Sequence, residues 1–205
     1  MKKMKKILII LDPAHGEEVP GKRSPDGKHR EYKWSRDRLH ELGPLLQSLG
    51  YTVVWTNTAD KEIGLMKRQT LASYFAKSNS DLVPLLISLH NDAAGNGTEW
   101  MKASGISVWT SKGRTLSDIF ANYVVQSFMD LIPEVKHRIL SPLERDFEEN
   151  FTVLMGAYSA MLIECMFQDN KEDVKLLSDP EFNEKVVDAI VKGIEMSNDY
   201  INSKK

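Results

Sequence analysis

Hydrophobic and polar positions alternate between two rhythms along this chain. Short unbroken apolar runs come first: residues 7–11 (Ile-Leu-Ile-Ile-Leu), 82–89 and 160–165. Runs of this length, rich in branched residues and polar only near their carboxyl ends, predict strands buried on both faces. The β-rich stretch 51–55 and the short stretch 106–109 predict two more. Between them the spacing turns helical. Trp34, Leu39, Leu42, Leu45, Leu46 and Leu49 recur at helical intervals and end at Gly50. Pro44 falls inside that stretch and argues against an unbroken helix. Residues 64–79 predict a helix with Leu65, Met66, Leu71, Tyr74 and Phe75 inward. Residues 115–131 predict another, with Phe120, Val124 and Phe128 on its apolar face.

Residues 170–177 suggest a short helix. Asp179-Pro180 then opens the last one, Asp as cap and Pro in the first turn. Residues 13–30 and 91–104 read as long polar loops. Residues 133–150 read as loop with at most one helical turn, and 152–158 as a short helix. Strands alternating with helices predict an α/β fold: a single domain with a mainly parallel twisted sheet of about six strands and helices on both faces. No repeat, linker or low-complexity tract marks a second domain. The expectation is one domain over residues 1–205, with residues 1–5 a basic lead-in.

Composition narrows the function. Lys and Arg total 27 against 29 Asp and Glu, a formal charge of −2, so no global basic field suits nucleic acid. No stretch reaches the ~20 apolar residues of a membrane helix. The basic start and five apolar residues fall short of the roughly 7–15 of a signal peptide, and Asp12-Pro13 interrupts them. The expectation is therefore a chain without its own secretion signal, held inside the cell until release or lacking a leader. One cysteine, Cys165, excludes an intrachain disulfide. A monomer is the favoured state.

Three apolar runs end in chemistry. His15 follows the first in Asp12-Pro13-Ala14-His15-Gly16. His90 follows the second in Ser88-Leu89-His90-Asn91-Asp92-Ala93, and Glu164 closes Leu162-Ile163-Glu164. In open α/β sheets ligands sit beyond the carboxyl ends of the strands. A single histidine there usually just closes a loop; two on different strands favour a shared site. Imidazole and carboxylate are the donors of a hydrolytic zinc, which needs three protein ligands and one open position. Candidates for the third are Glu17, Glu18, His29, Glu31 and His40. Glu31 is favoured because it stands where a loop ends and a helix begins, with His29 the competitor. Glu164, flanked by apolar residues, must find a cationic partner or have a raised pKa, and the latter suits a general acid/base. Asn91 and Asp92 could steady a ligand ring or simply open the loop. Trp100 and Trp109 flank the second loop as packing or stacking residues. His137 and Arg138 read as solvated. Cys165, in an apolar run, reads as an inert core thiol rather than a nucleophile.

These motifs, in order, resemble the zinc-dependent N-acetylmuramoyl-L-alanine amidase family of the amidase_3 type. Asp12 to Gly16 is similar to its Asp-Pro-Gly-His-Gly, and Glu31 to the glutamate at its first helix. Ser88 to Ala93 is similar to its Ser-Ile-His-x-Asn-Ala. The run Leu162-Ile163-Glu164-Cys165-Met166-Phe167-Gln168-Asp169-Asn170 resembles its Leu-Val-Glu-x-Gly-Phe-x-Ser-Asn. The stretches 49–53 and 68–72 also resemble the family, so the likeness spans nearly the whole chain. It implies one Zn2+ held by His15, Glu31 and His90, with Glu164 as the catalytic glutamate. The implied substrate is peptidoglycan, cut between N-acetylmuramic acid and L-alanine. No separate wall-binding domain is evident, which fits a phage-type lysin. The chain departs from the family at Ala14 and Met166, where glycines are usual, at Asp92 for Asn, and at Met155 and Ser159. No long inserted helix of the kind that plugs some of these sites is visible. Two other readings compete: a catalytically inactive wall-binding module, and a metal-free enzyme using Cys165 or a nucleotide. No glycine-rich phosphate loop supports a nucleotide.

Overall fold

Short apolar runs separated by helical stretches pack most stably in the middle of a sheet covered on both faces. The computed structural model describes Met4 and residues 6–204; the basic lead-in 1–5 lies, apart from Met4, outside the described residues. Six strands form one sheet: β1 (Ile7–Pro13), β2 (Thr52–Trp55), β3 (Val83–Asp92), β4 (Ile106–Thr110), β5 (Phe147–Glu148) and β6 (Ser159–Phe167). Their order is β2-β1-β3-β6-β4-β5. The first four in that order run parallel, and β4 and β5 run the other way, β4 antiparallel to β6. This is the α/β architecture the pattern predicts. Among the described residues, no helix is long and apolar enough to cross a membrane.

Five helices cover the sheet: α1 (Glu31–Ser48), α2 (Leu65–Ser78), α3 (Leu116–Leu131), α4 (Lys171–Leu177) and α5 (Pro180–Ser203). Alternation along each strand sorts the two faces. Ile7, Ile9, Leu11, Leu85, Ile87, Leu89, Met161 and Ile163 pack under α1, α3 and α5. Leu8, Ile10, Leu86, Ala160 and Leu162 face α2 and a single 3-10 turn at Thr152–Leu154. On that second face the same alternation carries Asp12, Ser88, His90 and Glu164 beyond the apolar residues, toward the carboxyl ends of the strands.

Four expectations need correcting. Helix α1 runs through Pro44 unbroken; Pro44 and His40 are exposed, so the carbonyl that proline leaves unbonded faces solvent. Helix α2 is rotated from the expected face. Leu65, Met66 and Tyr74 are exposed, while Arg68, Ala72 and Ala76, four residues apart, turn inward. The small alanines let the helix lie close to the sheet and the arginine meet a buried carboxylate. Residues 133–150 contain strand β5 rather than a helical turn, and 152–158 contract to the 3-10 turn. His137 and Arg138 are not simply solvated. His137 Nε2 donates to the Ile132 carbonyl at 2.9 Å. The Arg138 guanidinium lies over Phe147 and Phe167 and pairs with Asp92 Oδ2 at 2.5 Å.

Helices α3 and α5 cross where Gly193 meets Val124. A Cβ at Gly193 would come within 2.6 Å of Val124 Cγ2 and 2.7 Å of its Cα, and the backbone atom cannot turn aside. Replacing Gly193 by Ala should therefore destabilise the protein by about 1–3 kcal/mol, the usual cost of overpacking, despite the ~1 kcal/mol that alanine gains in a helix. Urea unfolding measures it; a variant more stable than the parent would contradict this close crossing.

Candidate metal centre

The site is assembled from three segments that buried polar groups pull together. The first is the exit of β1. His15 has φ 45, a left-handed conformation uncommon outside glycine, whereas Ala14, where the family has glycine, stays outside that region. The carbonyls of residues 13–15 must find donors in a buried place. Two almost wholly buried arginines supply them. Arg36 Nη1 donates to Ala14 O and Arg36 Nη2 to His15 O, each at 2.8 Å. Arg68 Nη1 donates to Pro13 O, and Arg68 Nη2 to His15 O at 3.1 Å. Arg68 is in turn paired with Asp12 at 3.0 Å and Glu62 at 2.9 Å.

The second segment is the end of β3. Ser35 on α1 accepts the Ala14 N–H at 2.9 Å and donates to Leu89 O at 2.6 Å, tying the exits of β1 and β3 together. His90 Nδ1 donates to Glu31 Oε1 at 2.9 Å, and its Nε2 lies 3.0 Å from Ser88 Oγ. Ser88 donates onward to Asp12 Oδ2 at 2.6 Å. The third segment is the start of α1, where Glu31 opens the helix. A carboxylate in the first turn lies at the positive end of the helix dipole.

The result is a tight donor set. His15, Glu31 and His90 offer ligand atoms that all lie within 4.8 Å of one another. Glu31 Oε1 sits 3.3 Å from His15 Nε2 and 2.9 Å from His90 Nδ1. The two imidazole rings meet edge to face, 5.1 Å between centroids. Burial alone would raise the Glu31 carboxyl, but the hydrogen bonds and charges of both histidines hold it well below the ordinary range. Burial resists charge on His90, yet its bond to Glu31 and the carboxylates of Glu31, Glu164 and Asp12 raise its pKa. His15 is lowered, burial outweighing its bond to Glu31. An ionised carboxylate and two imidazoles, three protein donors in all, are the chemistry and number that a catalytic zinc takes.

Glu164 stands beside His90 on the neighbouring strand, the two in direct register. No cation pairs with it among the described residues, and its buried Oε2 has no hydrogen-bond partner there. Burial pushes its carboxyl pKa up, eased in part by the His90 charge. A cavity of 270 Å3 opens beside the two histidines. Asp12, His15, Arg68 and His90 form its polar wall, and Leu65, Phe151, Val153 and Leu162 its apolar one.

The other candidates lie elsewhere. Glu17 and Glu18 are exposed on the loop, Glu18 accepting the Glu62 N–H. His40 sits on the outside of α1 against Trp55. His29 is buried close by, but its Nε2 donates to Asn91 Oδ1 at 2.8 Å, outside the donor set. Asn91 thus holds His29 rather than a donor ring, and Asp92 turns to Arg138. Trp109 packs on Phe147, and Trp100 lies under Lys171. Cys165 faces the opposite core, and burial raises its thiol pKa. The supports that sequence reading passed over are Arg36, Arg68, Ser35 and Ser88. Only the two-residue spacing of Ser88 and His90, which puts both on one strand face, signalled any of them.

Comparison with known proteins identifies the family and the fold. Residues 9–196 match the family described as N-acetylmuramoyl-L-alanine amidase (Amidase_3). The chain is similar to the N-acetylmuramoyl-L-alanine amidase AmiC of Neisseria meningitidis serogroup B, 25% identical over 96% of this chain and 53% of that protein. It thus spans about half the length of that curated relative. The solved N-acetylmuramoyl-L-alanine amidase of Clostridium difficile 630 superposes with a TM-score of 0.80 at 26% identity, covering 98% of this chain and all of the other. The catalytic domain of the CD27L endolysin shares the fold at a TM-score of 0.64 and 19% identity, over 92% of this chain and 96% of its own.

Arg68 is the most exacting support. Replacing it by Met leaves the buried Asp12 carboxylate without its cation and should cost about 3–5 kcal/mol in urea unfolding. Adding Asp12→Asn removes the stranded charge and should restore part of the loss. A double variant no more stable than the single one would refute this account.

Proposed function

The chain belongs to the N-acetylmuramoyl-L-alanine amidase family of the Amidase_3 type, and from that premise we propose that it is a zinc-dependent amidase of peptidoglycan. The bond cut is the amide between the lactyl group of N-acetylmuramic acid and L-alanine of the stem peptide. The observation that carries this is the donor set of His15, Glu31 and His90, with the unpaired carboxyl of Glu164 one strand away. His15, Glu31 and His90 hold the ion. When bound, zinc acts as a Lewis acid that polarises the scissile carbonyl and acidifies water at its open position.

The chain's own groups do the rest. Glu164, raised by burial, exchanges protons closer to neutral pH than an ordinary carboxyl. It takes a proton from the attacking water and delivers it to the alanine nitrogen as the amide breaks. The Ser88–Asp12 relay keeps the His90 ring turned toward Glu31. Leu65, Phe151, Val153 and Leu162 give that side of the cavity an apolar lining, which strengthens the charge interactions facing it.

The substrate places the activity at the cell wall, either as a lysin or as a remodelling enzyme, and residues 1–205 are read as one catalytic domain. Nothing favours the inactive wall-binding module, since all four chemical residues are retained. A thiol mechanism is opposed by the burial of Cys165 on the far face.

Purified protein should contain one zinc per chain, lose wall-lytic activity in EDTA and regain it with zinc. Mass spectrometry of digested walls should show free stem peptides beside intact glycan strands. Glu164→Gln should keep the zinc while activity falls by roughly 100- to 10,000-fold, the range of general acid–base catalysis. Full activity in that variant would remove Glu164 from the mechanism, and a metal-free, fully active protein would end the proposal.

A further inference from the structure

Glu31 has two carboxylate oxygens, and they meet different surroundings. Oε1 faces His15 Nε2, His90 Nδ1 and, at 3.3 Å, the Asn91 backbone N–H. Oε2 faces away from the histidines and accepts a hydrogen bond from Gln168 Nε2 at 2.9 Å, both residues fully buried. Resting on the zinc reading above, we propose that Gln168 is a positioning residue: it holds Oε2 so that Glu31 presents Oε1 alone to the ion.

Backbone geometry delivers Gln168 to that place. The pairing of β3 with β6 shifts register between His90 and Asp92, and Met166 there takes φ 62. Cys165 and Met166 consequently both enter the core under α1. This bulge moves the strand's alternation on by one residue. Without it, Gln168 would lie on the face of Glu164; with it, Gln168 lies on the side from which Glu31 descends. Its own backbone N–H is fixed on Asp92 O at 2.8 Å, and its second amide hydrogen reaches toward Asn91 O at 3.4 Å.

The carboxamide has only one workable orientation. Turned over, its oxygen would face the Glu31 carboxylate, acceptor against acceptor. In the orientation it has, Gln168 Oε1 is buried with no partner among the described residues. A leucine or methionine would fill this space without stranding an acceptor. The amide is disfavoured as packing, and its one compensating interaction is with a metal-donor carboxylate. By holding one oxygen of Glu31 it denies the ion a second bond from that residue and preserves the open position that hydrolysis requires.

The test uses zinc as the probe. Affinity is measured by competition with a chromophoric chelator, metal-free stability by urea unfolding, and coordination by the visible spectrum of the cobalt-substituted protein. Gln168→Met removes the donor at nearly constant volume. It should bind zinc about 10- to 100-fold more weakly, the usual effect of losing a group that orients a ligand. Its cobalt spectrum should differ from that of the parent, while its metal-free stability does not fall. Parental zinc affinity and an unchanged cobalt spectrum in the folded variant would overturn the proposal. A loss of affinity matched by an equal loss of metal-free stability, with an unchanged spectrum, would do the same. Should the methionine variant not fold, Gln168→Asn withdraws the amide by one methylene and is read by the same criteria. A parent protein that binds no zinc would sink the function proposed above and this inference with it; a failure confined to the variant sinks this inference alone.

Discussion

The site depends on two almost wholly buried guanidinium groups. Arg36 and Arg68 lie side by side beneath the exit of β1 and between them saturate the carbonyls of residues 13, 14 and 15. Two buried cations repel each other, and burial together with the Arg68 charge depresses the Arg36 pKa. The pair is tolerable because Asp12 and Glu62 face Arg68, and Asp60 approaches Arg36 at 3.6 Å. Arg36 comes from α1 on one face of the sheet and Arg68 from α2 on the other. The left-handed turn at His15 is thereby clamped from both layers, and the direction of its imidazole is a property of the whole sandwich rather than of the loop that carries it.

The period of two along a strand does the remaining sorting. Asp12, Ser88, His90 and Glu164 share the face under α2, while Leu11, Leu89 and Cys165 share the other. One consequence is chemical separation: the Cys165 thiol and the Glu164 carboxyl, adjacent in sequence, are divided by the thickness of the sheet. The other is transmission. Arg68 touches the His15 carbonyl directly and reaches His90 through Asp12 and Ser88. Both histidines are thus referred to one buried charge, and Ser35 ties together the two strand exits that carry them.

The architecture and the gathering of His15, Glu31 and His90 were legible because they rest on strong local signals: unbroken apolar runs, helical spacing, and ionisable residues where those runs stop. What escaped was set by partners distant in sequence. Helix α2 read with Leu65 and Met66 inward, since hydrophobicity is the usual guide to a buried face. Instead Arg68 is buried, because its charge is matched by an Asp12 that no local pattern connects to it. Pro44 weakened the case for an unbroken helix, but a proline on the solvent side of a helix leaves only a carbonyl that water can serve. Asn91 read as a candidate support for a donor ring, yet it serves His29, since a side chain one place along the strand from His90 points to the opposite face.

The departures from the family pattern carry a further lesson about what such a site tolerates. Asp92 brings a negative charge two residues from His90, and Arg138, stacked on Phe147 and Phe167, neutralises it at 2.5 Å. Met166 stands where a glycine would turn the chain freely. A non-glycine residue held at positive φ costs on the order of 1–3 kcal/mol and persists only where its surroundings over-determine it. Here they do: the side chain is locked in the core under α1, and the chain beyond is pinned by Gln168 N–H on Asp92 O. A glycine at 166 would relax the turn but leave a hole in that core. The strained methionine therefore makes the bulge rigid where glycine would leave it loose, and rigidity is what a carboxamide needs if it is to hold one oxygen of Glu31 still.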